Sequence, residues 1–152
     1  DRPRVSGYVL AHELLHVLQD QHFNLSAPRY QRRTLDGELA KDGLVEGEAS
    51  LVDGLYRGQC VNGEWTCLTG GLAPSSGPVT PAIGELLGVP YLEGATYVGA
   101  LRERGGWDAV TSAHHSPPTS MKQVLHPDSS VDAPAPIEYT DRTGQGWSRD
   151  GS

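Results

Sequence analysis

The strongest constraint on this chain is the pentapeptide H-E-L-L-H at residues 12–16, in which two histidines flank a glutamate. Residues four apart lie on one face of an α-helix, with Cβ atoms about 5–6 Å apart. His12 and His16 can therefore direct two imidazoles at one ion if this stretch is helical. The apolar residues around the motif continue with few breakers until Asn24. We predict a helix over residues 5–23 that presents two metal ligands.

The chemistry of these side chains indicates the metal and a role for Glu13. Neutral imidazole is a good zinc ligand, and zinc prefers a tetrahedral shell of N, S or O donors. Glu13 follows His12 on the helix, where its carboxylate reaches a water on the metal rather than the metal itself. The motif thus predicts Zn²⁺ and a metal-activated water with Glu13 as general base. The alternative is a pair of buried histidines satisfied by hydrogen bonds.

A third protein ligand is expected from a second helix, which we predict over residues 34–57. A carboxylate from a neighbouring helix is one established partner for two histidines. Glu46 and Glu48 are the candidates, and because they differ by about 200° of helical rotation only one can face the metal. Asp42 and Asp53 share roughly one face with Glu46. We predict that one of them orients a ligand imidazole without binding the metal itself.

This pattern resembles the gluzincin metallopeptidases, in which an H-E-x-x-H helix is followed by a helix bearing E-G-x-A, here E-G-E-A at residues 46–49. The resemblance implies that Glu46 is the third zinc ligand and that the fold is mainly α, with a gluzincin-like helical core. Gluzincins often carry an acid four residues after this glutamate, whereas this chain has Ser50. They also usually place a substrate-binding β-sheet before the motif helix. We therefore expect another domain or chain to supply that part.

A third helical region is predicted over residues 82–105, divided in two by Pro90. Its segment P-Y-L-E-G resembles the P-Y-x-x-G segment of aminopeptidase N-type gluzincins. The resemblance implies that the Tyr91 hydroxyl donates to the developing oxyanion; the alternative is a core tyrosine. A short helix is predicted over residues 120–125, and His126 after it is a candidate second donor, with a structural histidine as the alternative.

Three stretches resemble a bacterial group of HExxH proteins: H-E-L-L-H-V-L-Q-D-Q-H-F, G-G-W and P-P-T-S-M-K-Q-V-L-H-P. The resemblance extends over roughly residues 5–127 and implies kinship rather than a substrate. We predict that residues 1–127 form one zinc-peptidase-like helical domain. Residues 128–152 are rich in Pro, Ser, Asp and Gly, and we predict an extended or disordered tail. No site role is predicted for the remaining histidines: His22, beyond the reach of the metal, and His114 and His115, expected to be exposed.

Residues 58–81 are predicted to be an irregular insert that contains a small hairpin. Asn62-Gly63 is a typical hairpin turn, and it would place Cys60 opposite Cys67 at disulfide distance. A disulfide implies an oxidising, extracytoplasmic compartment, so we expect a secreted or cell-surface protein. The alternatives are two free thiols, or a second metal site that two thiolates alone would not complete.

Composition limits the remaining possibilities. A net charge of −7 argues against a nucleic-acid partner, and there is no apolar run long enough to span a membrane. Only 37% of residues are hydrophobic, and 19 Gly and 11 Pro indicate long loops. No signal peptide opens the chain, and residue 1 lies close to the motif helix. We therefore expect a processed product or a domain of a larger protein.

The function predicted from these features is zinc-dependent peptide-bond hydrolysis, with a peptide or protein as substrate. One alternative is a non-catalytic, zinc-stabilised cell-surface or assembly component that lacks a complete substrate cleft. Another is a zinc hydrolase that acts on something other than peptides.

Overall fold

The computed structural model describes residues 7–63 and 80–128, and these residues form helices and turns without a strand. Helix α1 spans Gly7–Phe23, α2 spans Leu35–Val61, α3 spans Pro81–His115 and α4 spans Met121–Leu125. A short 3₁₀ turn, Pro28–Tyr30, lies between α1 and α2. The mainly α fold is confirmed over this part of the chain, whereas the gluzincin-like core stays a prediction.

Helix α2 is the central element, because it packs against each of the other three helices. Its first turn is capped by Thr34, whose hydroxyl accepts a hydrogen bond from the Gly37 amide. The hydrophobic core lies between α2, the middle and C-terminal part of α3, and α4. Its buried members are Ala40, Leu44, Tyr97, Val98, Val110 and Val124.

The backbones of α2 and α3 touch at glycines. A Cβ built on Gly47 would overlap the backbone of Gly94, and a Cβ on Gly94 would overlap the backbone of Gly43. Only hydrogen atoms fit between the two helices at these positions. Close helix packing therefore explains Gly47, although glycine is unfavourable by helix propensity. It does not explain every glycine of α2, because a Cβ on Gly54 or Gly58 would have no neighbour within 4 Å.

Pro90 does not divide the third helical region, so that part of the prediction is wrong. Pro90 lies inside α3 and is buried beside α2, and packing there maintains the helix despite the missing N–H. The helix is instead kinked at Gly105 and Gly106. Gly106 has φ 65° and ψ −158°, a conformation that side chains with a Cβ rarely adopt.

The C-terminal end of α2 also differs from the prediction. Cys60 and Val61 belong to the last turn of α2, so they do not form a strand of a hairpin. The helix continues because Gly58 and Cys60 still offer carbonyls to the amides of Asn62 and Gly63. Cys67 lies outside the described residues, as does the tail from residue 129, so the Cys60–Cys67 disulfide and the tail remain predictions.

The short α4 and the connection before α2 tie the C-terminal part of the domain together. Helix α4 forms as predicted, and the Gln123 side chain accepts a hydrogen bond from the Ser120 amide at its start. Arg32 donates to the carbonyls of Pro117 and Pro118, which follow α3. These bonds hold the turn between α3 and α4 against the start of α2.

Helix α1 is attached to this core mainly through polar groups. Within the described part of the chain its buried residues are Gly7 and Gln19. Leu15 and Phe23 are half-buried, whereas five other large apolar side chains of the helix are exposed: Val9, Leu10, Leu14, Val17 and Leu18. Among the described residues there is no helix with the length and apolar character needed to cross a bilayer.

The glycine contact yields a stability prediction. We expect Gly47→Ala to destabilise the protein by about 1–3 kcal/mol, because the new methyl group must push α3 away from α2. Gly54→Ala on the same helix is the matched control, since a Cβ there would have no neighbour within 4 Å. We expect this control to stabilise the helix by about 0.5–1 kcal/mol. Urea unfolding measures both values, and equal effects of the two variants would contradict the packing described above.

Candidate metal centre

His12 and His16 on α1 and Glu46 on α2 converge on one point. The His12 Nε2 and His16 Nε2 atoms are 3.1 Å apart, and each lies 3.2 Å from Glu46 Oε2. The three side chains are partly buried, with the exposed fraction of each at 25% or less. Within the described residues this is the group of His, Cys, Asp and Glu side chains whose spacing could hold a metal ion.

These separations are close to what zinc requires. Zn–N and Zn–O bonds of about 2.0–2.2 Å in a tetrahedral shell place neighbouring ligand atoms about 3.3–3.6 Å apart. The observed separations of 3.1 and 3.2 Å are shorter than this by about 0.1–0.5 Å, so a small outward shift of the side chains would admit the ion. Two imidazoles and one carboxylate are also a donor set that zinc accepts, and three protein ligands leave a fourth position open. The residues therefore fit a divalent zinc ion.

Glu46, rather than Glu48, is the carboxylate at this point. Glu48 lies on the other side of α2, nearly buried, where its Oε2 accepts hydrogen bonds from Gln19 Nε2 at 2.7 Å and His114 Nε2 at 2.8 Å. Two residues that are two positions apart on a helix point in different directions, so Glu46 and Glu48 lie in different environments.

The electrostatics of the centre couple His16 to Glu46. The hydrogen bond to the Glu46 carboxylate raises the pKa of His16 above its usual 6.5, against the opposing effect of burial. The same bond to His16 lowers the pKa of Glu46 below its usual 4.5, although burial opposes this as well. In the metal-free protein each of these two side chains therefore favours the charged form of the other.

Tyr91 borders the centre, as the resemblance implies. Its ring stacks on His12, with the ring centroids 6.0 Å apart and the planes 22° from parallel. Burial and the charge of Glu46 raise the pKa of Tyr91, so its hydroxyl stays protonated and can donate. The side chain is still 44% exposed, which leaves it accessible from solution and argues against a core tyrosine.

Glu13 is exposed, and its charge acts on the centre from outside the ligand set. Its carboxylate contributes to the raised pKa values of both His16 and Tyr91. Glu13 therefore lies near these two side chains without belonging to the three converging groups. Its role as a general base stays a prediction.

A cavity of about 360 Å³ opens beside Glu46 and Tyr91. Its remaining walls are mostly aliphatic, with two acids at the rim: Leu35, Leu39, Leu86, Leu87 and Pro90, with Glu38 and Asp42. Lys41 forms ion pairs of 2.8 Å with both acids and offsets part of their charge. The cavity can accept an apolar side chain next to the metal centre.

The structure does not place the other predicted site residues at the centre. Asp53 is paired with Arg57 and Asp42 with Lys41, and no contact among the described residues joins either acid to His12 or His16. His126 is exposed at the end of α4. Within the part of the chain that the structure describes, it makes no contact with His12, His16 or Glu46.

Gln19, rather than Asp42 or Asp53, is the side chain that contacts the outer nitrogen of the His16 ring. The Gln19 Oε1 atom lies 2.8 Å from His16 Nδ1, and Gln19 is only 2% exposed. Sequence reasoning misses this glutamine because an acid is the familiar partner of a ligand imidazole. The available signal is its position three residues after His16, where the two side chains are neighbours on one helix face.

His114 is completely buried, so the expectation that it is exposed is wrong. Its ring stacks on Phe23 with centroids 4.3 Å apart, and its Nδ1 lies 2.9 Å from the Tyr30 hydroxyl. His114 follows the core residue Val110 by four positions, which places both on one helix face. That spacing is the signal that could have predicted its burial.

Comparison of the chain with protein-family models, with curated proteins and with solved structures finds no match. The gluzincin resemblance therefore rests on the motif residues themselves.

The coupling of His16 to Glu46 predicts opposite pH responses with and without zinc. A raised histidine pKa stabilises the fold below about pH 6.5 and ceases to do so as the pH rises through the raised value. A lowered glutamate pKa stabilises the fold above about pH 4.5 and ceases to do so as the pH falls through the lowered value. Zinc requires neutral imidazoles, so its stabilisation should grow as the pH rises.

We therefore expect the His16–Glu46 pair to stabilise the metal-free protein less at about pH 8 than at about pH 6, while added zinc raises the thermal midpoint more at about pH 8. Thermal unfolding followed by circular dichroism measures both effects. Glu46→Gln should remove both, and Glu93→Gln, an exposed site on α3, is the control. A larger zinc effect at about pH 6 would contradict the assignment.

Proposed function

We propose that this protein is a zinc-dependent hydrolase that cleaves peptide bonds. The observation that carries the proposal is the convergence of His12, His16 and Glu46, two imidazoles from one helix and a carboxylate from its neighbour. Such a set holds a catalytic zinc and leaves a coordination position for substrate or water. The resemblance of the motif residues to gluzincins supports the same activity.

A bound zinc ion would supply a Lewis acid that activates water and polarises the scissile carbonyl. The residues around it would carry out proton transfer and stabilise the oxyanion. Glu13 takes the proton of the attacking water and passes it to the leaving amine, because its exposed carboxylate lies near the centre outside the ligand set. Tyr91, a protonated donor beside Glu46 and His12, donates a hydrogen bond to the oxygen that gains charge.

The aliphatic cavity next to Glu46 and Tyr91 would hold a substrate side chain. Leu39 and Pro90 form part of the cavity wall. A charged side chain would lose its hydration on entering the cavity, whereas burial of an aliphatic side chain is favourable. We therefore propose a preference for an apolar residue beside the cleaved bond. Cleavage of a peptide library with no such preference would remove the cavity from the proposal.

Glu13→Gln tests the enzymatic role directly. We expect the variant to bind zinc as the wild type does and to cleave peptides about 10²–10⁴-fold more slowly, because it lacks the proton acceptor. Zinc content by elemental analysis and cleavage of a peptide library by mass spectrometry are the measurements. Glu93→Gln on the surface of α3 is the control and should retain full activity.

Two results would count against this role. Undiminished cleavage by the Glu13→Gln protein would remove Glu13 from the mechanism. Zinc binding without any peptide cleavage by the wild-type protein would favour the non-catalytic alternative, or a hydrolase with a different substrate.

Tyr91→Phe tests the proposed oxyanion donor. Phenylalanine keeps the ring that stacks on His12 and removes only the hydroxyl. We expect kcat to fall by about 10²–10³-fold with little change in KM, because the hydrogen bond forms mainly in the transition state. Tyr56→Phe, on a half-buried tyrosine of α2, is the matched control. A fall confined to KM would instead assign Tyr91 to substrate binding.

A further inference from the structure

Gln19 is an unusual buried residue. It is a polar side chain, and it is buried on a helix where five large apolar residues are exposed. Its amide makes three hydrogen bonds. The Nε2 atom lies 3.0 Å from the Val45 carbonyl oxygen and 2.7 Å from Glu48 Oε2, and the Oε1 atom lies 2.8 Å from His16 Nδ1. Each polar atom of the amide therefore faces a defined partner.

The Val45 carbonyl determines which way this amide points. A backbone carbonyl oxygen can only accept a hydrogen bond, so the Gln19 atom that faces it must be the NH₂ group. The Glu48 oxygen beside it is a second acceptor for the same NH₂ group. A flipped amide would place its oxygen against both acceptors in a buried site, which is costly. The Gln19 oxygen must therefore face His16.

An oxygen at His16 Nδ1 selects one form of the imidazole. The Gln19 oxygen can only accept, so His16 Nδ1 must carry the proton that it donates. A neutral imidazole has a single ring proton, and the Nε2 atom is then left with its lone pair. That lone pair points towards His12 Nε2 and Glu46 Oε2, at 3.1 and 3.2 Å.

We propose that Gln19 is a positioning residue for His16. The Val45 carbonyl and Glu48 hold the Gln19 amide in one orientation. In that orientation the amide keeps neutral His16 in the Nδ1–H form, which leaves Nε2 free to bind the metal. This inference rests on the metal site of the proposed function. It assigns a role to the second glutamate of the E-G-E sequence: Glu46 faces the metal, and Glu48 anchors the residue that orients one of the metal's ligands.

The buried side of α2 supports this arrangement. His114 donates to Glu48 at 2.8 Å, and its ring is held by stacking on Phe23 and by the Tyr30 hydroxyl. Arg29 in turn donates to the His114 carbonyl. A continuous set of hydrogen bonds thus runs from the turn after α1 through Glu48 and Gln19 to His16, and ends at the metal centre.

The preferred form of His16 also bears on metal binding. With a lone pair on His16 Nε2, two electron-rich atoms face each other at 3.2 Å across the His16–Glu46 contact. That arrangement is unfavourable unless a proton or a cation lies between them. Gln19 excludes the Nε2–H form of neutral His16, in which a ring proton would lie between the two atoms. It therefore makes binding of a cation at this position more favourable.

The test reads the His16 ring directly in the metal-free protein. Long-range ¹H–¹⁵N correlation NMR distinguishes protonated from unprotonated ring nitrogens, and titration of the ring identifies the pH at which it is neutral. We expect wild-type His16 to carry its proton on Nδ1, and Gln19→Met to shift a measurable fraction to Nε2–H. His22, whose Nδ1 donates to the Leu18 carbonyl, is an internal reference that should not change.

Zinc affinity is the second measurement, by competition with a chelator. We expect Gln19→Met to weaken zinc binding by about 10–100-fold, the usual effect of losing a partner of a ligand imidazole. Gln21→Met, an exposed glutamine of α1, is the matched control and should leave both the tautomer and the affinity unchanged. Circular dichroism of each variant reports whether the helices are retained.

The wild-type spectrum alone can overturn the inference, even if Gln19→Met fails to fold: neutral His16 protonated on Nε2 would do so. In a folded Gln19→Met protein, loss of zinc affinity without a tautomer change, or a tautomer change without loss of affinity, would also overturn it. A wild-type protein that binds no zinc would refute the metal site and the inference with it. A wild-type protein that binds zinc and shows the expected responses to Gln19→Met, but cleaves no peptide, would refute the proposed function and leave the inference standing.

Discussion

The site depends on the contact between the backbones of α2 and α3 at Gly47 and Gly94. Gly47 lies between Glu46 and Glu48, so the contact determines how far α2 is rotated relative to its neighbours. One glutamate then faces α1 and the cavity, and the other enters the buried side of the domain. Tyr91, three residues before Gly94 on α3, is brought next to Glu46 by the same contact.

The helix that carries the motif is attached to this pair of helices chiefly by polar interactions. The histidines meet Glu46, and Gln19 meets Glu48 and the Val45 carbonyl, while much of the apolar surface of α1 is exposed. Hydrogen bonds are directional, whereas apolar contacts are not. A polar interface therefore restricts the rotation of α1 about its own axis more than an apolar interface would. A metal ion bound by His12, His16 and Glu46 would then also hold α1 and α2 together.

The E-G-E sequence illustrates how one helix can serve a site twice. Glu46 is partly exposed and close to two imidazoles, an environment that suits a ligand. Glu48 is nearly buried, and burial alone would raise its pKa. Hydrogen bonds from His114 and Gln19, together with the electrostatic effects of His114 and His16, outweigh burial and keep the pKa below its usual value. A buried carboxylate that is satisfied in this way is a stable anchor for the amide that orients His16.

The sequence alone determined the parts that follow from local periodicity and from the chemistry of single side chains. The spacing of His12 and His16, the helical character of the segments and the Ser120 start of α4 could all be predicted, because each depends on neighbours within a turn or two. The choice between Glu46 and Glu48 needed the family resemblance, since spacing shows only that the two face different ways.

Only the tertiary structure decided which residues hold the site in place. Gln19 and Glu48 are 29 positions apart, and Glu48 and His114 are 66 apart. No local pattern relates residues at such distances. Asp42 and Asp53 had a suitable charge but are paired with Lys41 and Arg57, whereas an uncharged glutamine meets the His16 ring. The physical reason is that a hydrogen bond requires an atom within about 3 Å in the right direction, and helix packing alone supplies that position.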